Sequence, residues 1–126
     1  MSKLRIGLAC LIGISLHLCF FYGFLSYTQR NLHPPSRMMF MFLAGVAGFA
    51  VNIGLEKGTF RIASCILAGV FVSHIVMVIV DCWNDATNHN LLPFEFVLIA
   101  FCASPVYVGA ALAAAFGSRE STSFKL

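Results

Sequence analysis

Four long apolar runs separated by short polar breaks constrain this chain more than any single motif. They fall at about 6–27, 38–55, 60–80 and 91–116. A helix that crosses a bilayer needs about 20 largely apolar residues, and it must satisfy every backbone amide within itself because no water is present. Four such runs with short connectors use up the 126 residues. Only 10% of the residues are charged, against roughly 25% in a soluble domain, which is too few to cover a water-facing surface. The expected fold is therefore all-α: one domain, 1–126, an integral membrane up-and-down bundle of four transmembrane helices. No length is left for a soluble catalytic domain. The net charge of +3 does not point to nucleic acid, because the basic residues flank the apolar runs and form no cluster with aromatics.

The first run, Ile6 to Tyr27, is long for a signal-peptide core and no A-x-A-like site follows it, so it reads as a span. It carries two polar stripes, Ser15, Cys19, Tyr22 and Ser26 on one side and Cys10, Gly13 and His17 on the other. The serine stripe is expected to pack against another helix, as small and hydroxyl side chains do in membrane bundles. Thr28 to Arg37 with Pro34-Pro35 reads as a break, and the second span as starting near Met38. Gly45, Gly48 and Asn52 share one face of that span, with Asn52 expected to hydrogen-bond across helices. Glu56-Lys57-Gly58-Thr59 is a tight turn that should make spans two and three antiparallel neighbours. In the fourth span Pro93 suits the first turn. Pro105 cannot donate to the Phe101 carbonyl, which predicts a kink. Ala100, Ser104, Ala111 and Ala114 read as a small packing face, and the tail from Gly117 as frayed.

Six basic residues (Lys3, Arg5, Lys57, Arg61, Arg119, Lys125) fall on the side shared by both termini, and two (Arg30, Arg37) on the other. The positive-inside rule then puts both termini in the cytoplasm. Cys10, Cys19, Cys65 and Cys102 lie within spans as small hydrophobes, and Cys82 alone falls on the outer side. The expected disulfide, if any, joins two copies through Cys82.

The polar candidates gather in the outer half. His74, Asp81, Asp85, His89 and Glu95 form the candidate cluster, with His17 and Asn52 as further intramembrane polar positions. An ionisable group inside a span points to a site by default. Each also has a plainer role. Glu95 can sit at its own helix N-terminus, where the dipole favours it. Asp81 and Asp85 can be solvated loop residues, and His17 and His74 can bond across helices. Trp83 suits an interfacial anchor. A metal site from Asp81, Asp85, His89 and Glu95 has suitable ligands, but its spacing matches no strong motif. A haem shared by His17 and His74 is disfavoured because their depths differ by roughly 5 Å. No cofactor is expected. A proton or ion path through His74, Asp81 and Glu95 lacks any titratable continuation to the inner side.

The stretch Asp85-Ala86-Thr87-Asn88-His89-Asn90-Leu91-Leu92-Pro93-Phe94-Glu95 resembles a D-x-[ST]-x-H-N-L-x-P-F-E pattern that precedes the last span of small, uncharacterised bacterial membrane proteins. The resemblance covers about eleven residues and the helix plan. It implies a bacterial inner membrane, with His89, Asn90 and Glu95 as matching polar positions, and it carries no activity. The functional expectation is a non-enzymatic accessory or assembly component, its partners being the bilayer and either a second copy or another membrane subunit. The alternative is a small oligomeric ion- or proton-coupled transporter. An enzyme ranks third, because no nucleophile–base pair or cofactor fingerprint is visible.

Overall fold

The computed structural model describes residues 3–22, 34–55, 58–84 and 92–123. All secondary structure among them is helical. Helix α1 (Lys3–Leu16) continues into a π-helical segment, His17–Tyr22. Helix α2 is Pro34–Asn52, α3 is Thr59–Asn84, α4 is Leu92–Ala103 and α5 is Pro105–Ser123. Helices α4 and α5 are the two halves of one broken rod, so the described residues form four rods. Three stretches are long and apolar enough to cross a bilayer: Lys3–Phe20, Thr59–Trp83 and Leu92–Gly117. Arg37–Asn52 is apolar but shorter.

The boundaries correct the sequence reading in three places. Helix α2 starts at Pro34, not near Met38. A proline in a first turn removes an amide that has no intrahelical partner anyway, so Pro34 and Pro35 open the helix rather than block it. Helix α3 runs on through Asp81 to Asn84, so these residues are helix and not loop. Helix α5 continues past Gly117 to Ser123. At Ser104 the last rod breaks, as the proline predicts. The Phe101 carbonyl that Pro105 cannot serve accepts the Ser104 hydroxyl at 2.7 Å and the Ser104 amide at 3.2 Å. The break is thus self-satisfied.

The turn between α2 and α3 uses two glycines in the left-handed region, Gly54 (φ 71°) and Gly58 (φ 85°), a conformation glycine adopts without steric cost. Yet the turn does not decide the packing. The most extensive contacts join non-consecutive helices, α1 with α3 and α2 with α5, and the α2–α3 contact is smaller than either. Glycines are the reason. A Cβ at Gly13 would fall on the Ile66 carbonyl oxygen, and one at Gly69 on the Cys10 carbonyl oxygen. The same holds for Gly48 against Val106 and Gly109 against Gly45. Backbone therefore meets backbone at both crossings, as small residues permit in membrane helices.

Those crossings fix which faces are inside. On α1 the Cys10–Gly13–His17 row packs, whereas Ser15 and Cys19 of the serine stripe face outward. In the last rod Ser104 and Ala111 are exposed; Ala103, Val106, Gly109, Ala110 and Ala113 form the buried row instead. Asn52 is fully buried, but its amide donates to the Gly48 carbonyl of its own helix at 2.7 Å rather than across helices. Two apolar clusters fill the interior. One contains Phe40, Val70, Ile99, Cys102 and Ala103, the other Ala9, Ile62, Ala63, Ile66, Val106 and Ala110.

Candidate functional site

The site grows out of the α1–α3 crossing. His17 lies one turn beyond Gly13, and Ser73 one turn beyond Gly69. Residues four apart on a helix share a face, so two parallel helices touching at Gly13 and Gly69 bring His17 and Ser73 together on the next turn. His17 Nδ1 and Ser73 Oγ are 2.9 Å apart and share one proton. Either the hydroxyl donates to the ring or the ring N–H donates to the hydroxyl. The π-helical segment begins at His17; such segments are frequent at functional positions.

His74 follows Ser73 and lies beside both His17 and α4. Its ring meets the His17 ring edge to face, with centroids 5.4 Å apart and an interplanar angle of 81°. On its other side it meets Phe96 edge to face at 5.0 Å. Its Nε2 lies 3.8 Å from Glu95 Oε2. That distance is long for a direct hydrogen bond, but it is a close charge contact when the imidazole is protonated. His17, Ser73 and His74 are buried, and the Glu95 side chain is 19% exposed. The carboxylate therefore forms the outer end of a polar row, Glu95–His74–His17–Ser73. Its two imidazoles and one carboxylate are groups that can bind a proton. Ser73 and His17 also stand at nucleophile–base distance, a pair the sequence reading did not contain, although both are enclosed by helix.

Of the five residues of the expected cluster, the structure places two beside each other. These are His74 and Glu95. His17, ranked lower from sequence, lies at the centre. Ser73 was not singled out at all, although glycine-plus-four spacing on α1 and α3 is a signal that could have found it. Asp81 is half-buried on α3, two turns beyond His74. Asp85 and His89 lie outside the described residues, as does most of the stretch that carries the bacterial resemblance. Asn52, at the end of α2, and Thr59, at the start of α3, are both buried at the other end of the bundle. Among the described residues no three His, Cys, Asp or Glu side chains converge to hold a metal ion.

The depth mismatch between His17 and His74 disappears. Helix α3 extends to Asn84, so His74 lies about 15 Å from its C-terminal end, the distance expected for His17 from the end of its own span. A shared haem still does not fit, because rings in edge-to-face contact at 5.4 Å leave no slot for a flat macrocycle between them. The five cysteines are free thiols. Those of Cys10 and Cys65 are neighbours across α1 and α3.

No known protein family, curated protein or solved structure matches the chain.

Proposed function

We propose that the chain is a multi-pass integral membrane protein with four spans, seated in a bacterial inner membrane with both termini in the cytoplasm. It acts there as a non-enzymatic accessory or assembly component built around one titratable cluster. Support for the membrane comes from the distribution of polarity. Large apolar side chains such as Leu4, Phe42, Phe60 and Phe101 point outward, whereas His17, Asn52, Ser73 and His74 point inward. Such a surface suits hydrocarbon and not water. The bacterial placement rests on the resemblance of the stretch before the last span, and the orientation on the charge count.

One observation favours the accessory role over transport. The row Glu95–His74–His17–Ser73 occupies one end of the bundle, Asn52 and Thr59 the other, and the two apolar clusters lie between them. A proton entering beside Glu95 meets hydrocarbon below His17. The cluster thus binds or senses from one side. The transporter reading draws its support from the His74–Glu95 contact, and it needs an oligomer to supply the missing path.

Native mass spectrometry of the protein extracted from its own membrane tests this. The expected result is a complex with a different membrane protein. A homo-oligomer alone turns the assignment to transport, which proteoliposomes with an internal pH dye then decide: flux above that of empty vesicles, lost in Glu95→Gln, replaces the accessory role.

A further inference from the structure

An apolar groove of about 410 Å³ runs along the outside of the α2–α5 pair. Met41, Gly45 and Phe49 form its α2 floor, and Pro105, Val108 and Leu112 its α5 side. It exists because Gly45 has no side chain to fill it and because the Ser104 break turns the rod there. Met41 to Phe49 covers about 12 Å of helix, close to the roughly 15 Å depth of one leaflet. Its walls are apolar along this whole length, a surface suited to a hydrocarbon chain.

Charge decides what that chain belongs to. Arg37 is one turn before Met41, so it continues the row 37–41–45–49 at the outer end of the groove. Among the described residues, no acidic side chain lines the groove. A guanidinium carries five donors in a planar fork matched to phosphate oxygens, enough to serve a protein partner and a phosphate together. The geometry points to a binding site for one net-anionic phospholipid, with an acyl chain in the α2–α5 groove and its phosphate on Arg37. This rests on the membrane reading above.

The site can be closed without damaging the fold. A Cβ at Gly45 meets only Pro105 atoms, at 3.6 and 3.7 Å, which is ordinary contact. Gly45→Leu starts from that unstrained Cβ and extends into the groove. The test is native mass spectrometry of the chain released from bilayers of phosphatidylglycerol and phosphatidylcholine with identical acyl chains. Wild type should retain one phosphatidylglycerol in preference to phosphatidylcholine. Gly45→Leu should lose it, as should Val108→Trp, which closes the groove from the other wall. Arg37→Gln should lower the preference about fivefold, the share expected of one basic residue near a membrane surface. Unchanged phosphatidylglycerol occupancy in both groove variants, or equal retention of the two lipids by wild type, overturns the site. An alkaline carbonate wash separates the premises. Release of the chain from membranes overturns the membrane reading and this site with it, whereas a retained chain with no lipid overturns the site alone.

Discussion

Two alanine substitutions at one helix crossing should have opposite effects. At Gly109 a new Cβ meets the Gly45 carbonyl oxygen, lies 2.6 Å from the Phe49 amide nitrogen and 3.0 Å from the Gly45 carbonyl carbon. All three are helix backbone, so no rotamer change relieves the overlap and α2 and α5 must separate by about 1 Å. A gap of 0.5–1 Å forfeits roughly a quarter to a half of each dispersion contact, and this pair is among the most extensive in the bundle. Gly109→Ala should therefore cost about 1–3 kcal/mol, the usual range for overpacking. At Gly45, facing it, the new Cβ meets Pro105 at ordinary contact distance. Gly45→Ala gains helix propensity, worth up to about 1 kcal/mol. Thermal unfolding in detergent micelles, followed by a thiol-reactive dye that reports the buried Cys102, measures both. Equal midpoints for the two variants would refute the crossing.

Three further outcomes follow from single contacts. Ser73→Ala removes the partner of His17 Nδ1 and should destabilise the bundle by roughly 0.6–1.7 kcal/mol, the range for hydrogen bonds between membrane helices; outward-facing Ser15→Ala should be neutral in the same detergent unfolding assay. Ser104→Ala takes the 2.7 Å hydroxyl bond from the Phe101 carbonyl, and should lower stability by about 1 kcal/mol by the same assay, whereas Ser104→Thr retains it. Mild oxidation of a variant keeping only Cys10 and Cys65 should close a disulfide within one chain, seen by intact mass as the loss of two hydrogens. A Cys19–Cys82 variant treated alike should not close, and a reversed pattern would contradict the α1–α3 pairing.

The sequence alone determined that the chain is helical, where its apolar rods lie, and that the last one breaks at Pro105. These follow from residue type and spacing along one strand of chain: twenty apolar residues have few other solutions, and a missing amide cannot be replaced. It also placed His74 and Glu95, with Asp81, Asp85 and His89, among the ionisable groups gathered toward one end of the spans. Tertiary structure decided which faces turn inward. A helix that is apolar all round carries no amphipathic signal, so Ser15 and Gly13 looked equally fit to pack. What selected Gly13 was the backbone of α3 arriving at that level, a contact 53 residues away in sequence at Ile66. The same event brought His17 to Ser73 and placed it at the centre of the polar row. Adjacency along the chain suggested that α2 belonged against α3, but the close contacts fell where glycines on non-consecutive helices let backbones meet. That choice depends on two surfaces fitting each other, and neither surface alone records it.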